Sequence, residues 1–213
     1  MQKIMFNNEY GLTYAVRQGR KTMTRRIAYY GEIKDIHTGY ITEGVDAGRL
    51  ALCDGNMIVA KSKYKLGEVL AVAQSYKDLG YTKEWVEQHI SPNPNAKPTD
   101  PFEKKYPGWN NKMFVPAELN EAQRIRITDI KAERLQDISE EDCLKEGIQE
   151  CFPYIDRDPN DKVRTFQYFK DGKIRYRISP ASECFAHLID DISGKGTWES
   201  NPYCFCYEFE LVK

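Results

Sequence analysis

The prolines of this chain are concentrated in one stretch, and that concentration limits the fold more than any other feature of the sequence. Six of the ten prolines fall between Ile90 and Pro116. Proline lacks a backbone N–H and fixes φ, so it interrupts both helix interiors and central strands. We therefore predict an irregular insertion here. With 213 residues in all, the length fits one domain over 1–213 with insertions at about 77–116 and 149–178.

The residues before the insertion carry the pattern of short strands and one helix. After a short apolar strand, Asn7 or Asn8 is placed to cap a helix whose apolar positions begin at Leu12 and which Gly19 would end. Asp54-Gly55 lies between two apolar runs and predicts a hairpin with a type I′ turn. The predicted strands are Ile4–Phe6, Arg20–Ile27, Arg49–Cys53, Asn56–Lys61 and Val69–Gln74.

The residues after the insertion continue this pattern. Ser139 is placed to cap a helix that Gly147 ends, and Ser179-Pro180 opens an amphipathic helix that ends at Gly194. Asp171-Gly172 predicts a second hairpin, and strands are predicted at Arg124–Leu135 and Tyr203–Val212. Many strands with few short helices indicate an α+β fold, specifically a small barrel with peripheral helices. Doubly wound nucleotide folds are disfavoured because no Gly-x-Gly-x-x-Gly or Walker loop is present.

The charge of the chain is unevenly distributed. The formal net charge is −1, but residues 1–30 hold six basic groups and one acid, which makes them +5 and leaves −6 for the rest. A basic segment of this kind is either a solvated face or a site for phosphates. The alternating side chains of an extended 21–26 segment would put Lys21, Met23 and Arg25 on one face and Thr22, Thr24 and Arg26 on the other.

The cysteines and histidines predict neither a metal site nor a disulfide. No Cys-x-x-Cys occurs among the six cysteines, and the three histidines lie far from them in sequence. Cys204 and Cys206 would share one buried strand face. No apolar run reaches membrane-spanning length and the start lacks a signal-peptide pattern, so we expect a cytoplasmic location and no membrane partner. No cofactor is predicted.

Several short motifs, in this order along the chain, together resemble one family. They are residues 19–26 (GRKTMTRR), 66–76 (LGEVLAVAQSY), 124–128 (RIRIT), 133–147 (ERLQDISEEDCLKEG) and the tail 194–202 (GKGTWESNP). The chain resembles an ASCH domain of the PUA-like superfamily, and its tail resembles the phage and prophage subgroup. The resemblance implies a PUA-like β-barrel with a cleft, in a family associated with RNA binding and with modified-base chemistry.

Some small ASCH proteins are similar to amidohydrolases that deacetylate N(4)-acetylcytidine with a Lys, a Thr and a Glu. The resemblance puts the first two on Lys21 and Thr24, where a desolvated lysine would activate the hydroxyl. The expected glutamate is Gln74 here. An amide binds a base edge but cannot accept a catalytic proton, which disfavours this hydrolysis.

The candidate binding residues are therefore Lys21, Thr24, Arg25, Arg26 and Gln74, with Tyr76 and Trp198 as stacking platforms and Lys195 in a Gly-Lys-Gly anion nest. For the aromatic residues the alternative is core packing, and for the glycines it is a helix stop.

These residues leave three functions open. The first is an RNA- or nucleotide-binding module. The second is an amidohydrolase acting on a modified nucleoside, and the third is a phage accessory protein that binds another protein through segment 90–116.

Overall fold

The computed structural model describes residues 1–31, 35–120, 123–151, 154–155, 162–176 and 180–212. Its helices are α1 (Leu12–Arg17), α2 (Lys83–His89), α3 (Phe102–Lys105), α4 (Glu140–Lys145), α5 (Ala181–Ser193) and α6 (Thr197–Ser200). Short 3₁₀ turns lie at Ala117–Asn120 and Leu135–Asp137.

The strands of the first half are β1 (Lys3–Ile4), β2 (Met23–Ile27), β3 (Ile36–Tyr40), β4 (Leu50–Asp54), β5 (Met57–Lys61) and β6 (Val69–Val72). Those of the second half are β7 (Arg124–Arg134), β8 (Gln149–Glu150), β9 (Tyr154–Ile155), β10 (Lys162–Val163), β11 (Phe166–Gln167), β12 (Phe169–Lys170), β13 (Lys173–Ile174) and β14 (Tyr203–Val212).

The strands form several sheets. The largest has the order β1-β6-β7-β14-β2, with β1 parallel to β6 and β14 antiparallel to β2. A three-stranded antiparallel sheet has the order β3-β4-β5, and three two-stranded pairs are β8–β11, β9–β10 and β12–β13. The α+β class is confirmed, and the described strands do not close into a barrel.

Most of the predicted elements are present, and two local predictions are wrong. The N-cap of α1 is Gly11 rather than an asparagine, because the Asn7 Oδ1 accepts the Glu9 N–H and the Asn7 and Asn8 carbonyls accept the N–H groups of Leu12 and Gly11. In the first hairpin only Gly55 has a positive φ, so the turn is not type I′.

Three other local predictions are confirmed. The second hairpin has positive φ at both Asp171 and Gly172, as a type I′ turn requires. Ser139 caps α4 by accepting the Asp142 N–H. Cys204 and Cys206 are buried on one face of β14 with their sulfurs 3.7 Å apart, and all six thiols are free.

The chain divides into two compact units. Unit 1 comprises 1–6, 69–125 and 211–213, and unit 2 comprises 7–68 and 126–210. In unit 1 the proline-rich insertion packs against the residues that precede it through a small core made of Tyr76, Val86, Tyr106 and Val115. This core explains how the segment is ordered despite its irregular backbone. The predicted insertion at 149–178 lies partly outside the described residues.

The larger core belongs to unit 2. It packs α4, α5 and one face of β14 through the buried residues Tyr10, Leu135, Ile138, Cys143, Ile148, Phe166, Tyr168, Ala181, Cys184, Phe185, Leu188, Cys204 and Cys206. The apolar residues of α5 lie on one face, as the predicted helical spacing requires. Asp142 and Glu146 of the α4 region are also buried. Among the described residues, no helix has the length and apolarity of a membrane span.

Candidate functional site

Two of the predicted basic residues lie in a buried charge network of unit 2. The Lys21 Nζ is 2.6 Å from the Glu146 Oε2, and the Arg25 guanidinium contacts Glu133 at 2.5 Å, Asp142 at 3.0 Å and Glu146 at 3.2 Å. We call these residues, together with Lys131, the acid network.

Lys131 completes the acid network from its surface side. Its Nζ lies 2.7 Å from Asp142 and 3.1 Å from Glu133. Lys21 is only 2% exposed and Arg25 only 5%. Their positive charges are therefore neutralised inside the protein rather than offered to phosphates.

The acid network perturbs the ionisation of its members. Burial lowers the pKa of the Lys21 ammonium below its ordinary value, although Glu146 acts in the opposite direction. Burial also opposes the charge of Arg25, but Cys206, Glu146 and Glu133 outweigh it and raise its pKa. The pKa of Asp142 is lowered overall. Desolvation acts to raise it, but the hydrogen bonds from Lys131 and Arg25 have the larger effect.

The structure places Thr24 and Arg26 on the opposite face of β2 from the acid network. Arg25 pairs in register with Cys206, whose thiol contacts Glu133, whereas Thr24 pairs with Tyr207 and Arg26 with Phe205. Since successive side chains of a strand alternate, Thr24 and Arg26 face away from Arg25. Arg26 instead lies near the phenols of Tyr64 and Tyr207, where its charge opposes the increase in their pKa that burial causes.

The predicted alternation of residues 21–26 is thus observed in contacts. Lys21 and Arg25 share Glu146, and the Met23 sulfur lies 3.1 Å from an Arg25 nitrogen. Lys21 precedes β2 and shares Glu146 with Arg25, whereas Thr24 alternates with Arg25 along the strand.

Of the remaining predicted residues, Tyr76 and Trp198 pack against other rings, whereas the buried Oε1 of Gln74 has no hydrogen-bond partner among the described residues. Gln74 follows β6 in unit 1 and is 1% exposed, and Tyr76 belongs to the small core of the same unit. Trp198 packs edge-on against Phe185, with ring centroids 6.3 Å apart. Tyr76 and Trp198 are packing residues here, as the alternative interpretation predicts.

The predicted anion nest around Lys195 is occupied by the protein itself. The carboxylate of Asp190 accepts the N–H of Gly196 at 3.1 Å and that of Trp198 at 2.8 Å. An internal carboxylate therefore holds the position that a phosphate would need. Sequence reasoning missed this because Asp190 lies six residues before Gly196, within α5.

A cavity of about 420 Å³ opens in unit 2, and we call it the tyrosine cavity. Four aromatic rings line it, from Tyr10, Tyr14, Tyr168 and Phe169, together with the polar side chains of Asn8, Arg20 and Gln149. Its size is in the range of small-molecule sites, which are apolar pockets with a few polar groups. None of these side chains was predicted as a site residue; the signal available was the aromatic content around the helix α1 and the Asp171-Gly172 hairpin.

The walls of the tyrosine cavity are held by hydrogen bonds. The Tyr168 hydroxyl donates to the Asp191 Oδ2 at 3.0 Å, and the Tyr10 hydroxyl donates to the Asp191 carbonyl at 3.3 Å. Both rings are thus fixed to α5, with their centroids 6.2 Å apart. Tyr14, by contrast, is 58% exposed, and its hydroxyl accepts a hydrogen bond from the Gln18 Nε2.

Lys21 connects the acid network to the tyrosine cavity through Gly147. The Lys21 Nζ also donates to the Glu146 carbonyl at 2.6 Å, and Gly147, the next residue, forms part of the cavity wall with φ of +108°. A Cβ at Gly147 would lie 3.2 Å from Leu12 and 3.8 Å from the Lys21 Cδ. Lys21 therefore holds the backbone that shapes the cavity rather than reaching into it.

Among the described residues, no group of three or more His, Cys, Asp or Glu side chains is arranged to hold a metal ion. Comparison of this chain with protein-family models, with curated proteins and with solved structures finds no match.

Proposed function

We propose that this chain is a nucleotide- or RNA-binding protein of the ASCH type, and that a nucleobase occupies the tyrosine cavity of unit 2. The observation that carries the proposal is the combination of aromatic rings, amides and one arginine around a space of about 420 Å³. This combination matches three features that a nucleotide presents: the flat face of the base, the polar edge of the base and the phosphate.

Each part has a physical counterpart in the cavity. Stacking of a base on an aromatic ring contributes about 1–3 kcal/mol, and Tyr14 is the most exposed ring that lines the space. The amide of Gln149 offers both a donor and an acceptor to a base edge. Arg20 supplies a guanidinium whose planar fork fits phosphate oxygens.

The proposal changes the roles given to the basic residues of the 19–26 segment. Arg20 contacts the ligand, whereas Lys21 and Arg25 are internal ion pairs that keep the cavity wall in place. Binding through a single arginine makes the affinity only moderately sensitive to salt.

A PUA-like arrangement is part of the same proposal. The motifs that resemble the ASCH family include β2, β6 and β7 with α4, and β2, β6 and β7 are strands of the sheet β1-β6-β7-β14-β2. The acid network joins two of these motifs, since Lys21 and Arg25 come from 19–26 and Glu133, Asp142 and Glu146 come from 133–147. These contacts support a shared packing of the 19–26 and 133–147 motifs within unit 2.

The test is titration of the full chain with the four nucleoside monophosphates and with a single-stranded RNA hexamer, by calorimetry at about 50 and about 200 mM salt. We expect Tyr14→Ala to weaken binding by about 5- to 100-fold through lost stacking. Arg20→Gln should weaken binding and reduce the salt slope by about 0.7–1.

Two matched substitutions serve as controls. Tyr29 is 87% exposed and Arg126 lies on the outer face of β7, and neither lines the tyrosine cavity. Tyr29→Ala and Arg126→Gln should leave the affinity unchanged. The proposal fails if no nucleotide or RNA binds at low salt, or if the control pair weakens binding as much as the cavity pair.

The amidohydrolase alternative receives less support from the geometry. It needs the Lys21 amine to accept the proton of the Thr24 hydroxyl, but the Lys21 amine is hydrogen-bonded to Glu146, which it shares with Arg25. Incubation with N(4)-acetylcytidine and chromatography of the products tests it directly. Release of cytidine that Thr24→Val abolishes would favour the hydrolase over the binding module.

A further inference from the structure

One glutamine side chain joins two residues that line the tyrosine cavity. The Gln18 Nε2 donates to the Tyr14 hydroxyl at 2.5 Å, and the Gln18 Oε1 accepts from the Arg20 Nε at 3.1 Å. Tyr14 and Arg20 belong to the cavity wall, whereas Gln18 stands behind them. A single amide therefore connects the exposed ring to the guanidinium, and both of its polar ends are used.

The end of α1 fixes the backbone that carries this connection. Gln18 is the C-cap of α1, and Gly19 follows it with φ of +70°, a conformation that favours glycine. The Gly19 N–H donates to the Val16 carbonyl at 2.9 Å. The Arg20 N–H donates to the Ala15 carbonyl at 2.9 Å, and the two bonds together form a Schellman motif. The backbone of Arg20 is thus held against the last turn of the helix.

The Schellman motif leaves the side chain of Arg20 to be directed by Gln18. Arg20 is exposed, and among the described residues no carboxylate forms an ion pair with it. A long exposed side chain has many rotamers, and ordering it when a ligand binds has an entropic cost. The bond to Gln18 reduces that cost. It also uses only Nε, so both terminal nitrogens of the guanidinium remain for the paired hydrogen bonds by which arginine binds phosphate.

The direction of Arg20 matters because no other charge can replace it. Among the described residues that line the tyrosine cavity, Arg20 alone carries a formal charge. The amide of Gln18 is neutral and so directs the guanidinium without cancelling its charge. The carboxylates that hold Lys21 and Arg25 do cancel theirs.

We infer that Gln18 is a positioning residue that couples base stacking on Tyr14 to phosphate binding by Arg20, an inference that rests on the proposed function. A nucleotide that stacks on Tyr14 meets a guanidinium already held beside the ring. A nucleoside meets the ring alone and gains nothing from the guanidinium. The tyrosine cavity therefore selects nucleotides over nucleosides, and the strength of that selection depends on the Gln18 amide.

The test is calorimetric titration of the full chain at about 50 mM salt with the four nucleoside 5′-monophosphates and the four matching nucleosides. Gln18→Met keeps the length of the side chain and removes both hydrogen bonds. We expect it to reduce the preference for nucleotide over nucleoside by about 2- to 10-fold, the value of about one net hydrogen bond. In an Arg20→Gln background the same change should reduce the preference no further, because Gln18 acts through Arg20.

Gln18→Glu separates the two bonds. Its carboxylate still accepts a hydrogen bond from the Tyr14 hydroxyl, but it also neutralises Arg20 and competes with the phosphate. The nucleotide Kd should rise at least about 10-fold while the nucleoside Kd stays unchanged. A residue that merely supported the end of α1 would shift both constants together.

Gln136→Met is the matched control, since Gln136 is exposed and its Nε2 donates to the Trp198 carbonyl at 2.8 Å outside the tyrosine cavity. It should leave the Kd of every ligand unchanged. Equal losses for nucleotide and nucleoside in Gln18→Met overturn the role given to Gln18 and leave the proposed function standing, as does a wild type that binds both equally well. Absence of binding by all eight ligands overturns the proposed function and the role of Gln18 with it.

Discussion

Arg25 is the residue on which the acid network depends, and replacing it by Met gives a quantitative test of that dependence. Its guanidinium contacts three carboxylates while its side chain is 1% exposed. Arg25→Met fills a similar volume but leaves Glu133, Asp142 and Glu146 with Lys21, Lys131 and, at 3.9 Å from Asp142, Lys145. Removing one partner of a buried ion pair costs about 3–5 kcal/mol, so we expect the free energy of unfolding to fall by that amount.

The measurement is urea unfolding followed by circular dichroism at pH 7, with the m value checked for two-state behaviour. Arg164→Met is the matched control, because Arg164 also contacts two carboxylates but is 54% exposed. An exposed pair contributes about 0–1 kcal/mol, so the control should change little.

A double-mutant cycle assigns the loss to the ion pair. Asp142→Asn should cost less in the Arg25→Met background than in the wild type, since its partner is already gone. Equal costs in the two backgrounds, or a loss below about 1 kcal/mol for Arg25→Met, would refute the assignment of this energy to buried charges.

The same network makes stability depend on pH. The pKa of Asp142 is lower in the folded protein than its ordinary value, so its contribution is present above the unfolded pKa and is lost as pH falls through the folded one. The wild type should therefore lose stability below about pH 4. In Arg25→Met that acid-dependent part should shrink, because one of the groups that lower the pKa of Asp142 is removed.

Three further predictions concern packing, turns and thiols. Gly108→Ala should destabilise unit 1 by about 1–3 kcal/mol in thermal unfolding, because the new Cβ would lie 2.4 Å from the Tyr76 ring. Gly39→Ala is the control and should cost little, because its new Cβ meets open space. Asp190→Ala should lower the free energy of unfolding by about 1–3 kcal/mol and shift the fluorescence emission of Trp198 to the red, because the Gly196 and Trp198 N–H groups lose their acceptor. Unchanged emission would contradict the role given to Asp190. Burial raises the pKa of Cys143 and of Cys184 to about 12. At pH 8 a thiol reagent should therefore modify the partly exposed Cys53 and Cys151 first. Fast reaction of Cys143 in the native state would show that the core of unit 2 opens.

Local signals in the sequence determined much of the secondary structure. The Ser139 cap, the Gly147 stop, the Asp171-Gly172 turn and the spacing of α5 depend on neighbours within a few residues, and each is present as predicted. The alternation of residues 21–26 likewise determined which side chains share a face. The failures were local competitions, as at Asn7, whose side chain bonds to Glu9 instead of capping α1.

The use of the charged residues was decided only by the tertiary structure. The sequence of a basic segment is the same whether its charges face water, a phosphate or a carboxylate. The carboxylates that neutralise Lys21 and Arg25 come from residues more than 100 positions away. The tyrosine cavity likewise draws on α1, on the β8 region and on the β12–β13 hairpin, which no short motif connects. The physical reason is the sequence separation of the interacting residues. Caps and turns depend on residues a few positions apart, whereas ion pairs and cavities form only when distant segments of the chain pack together.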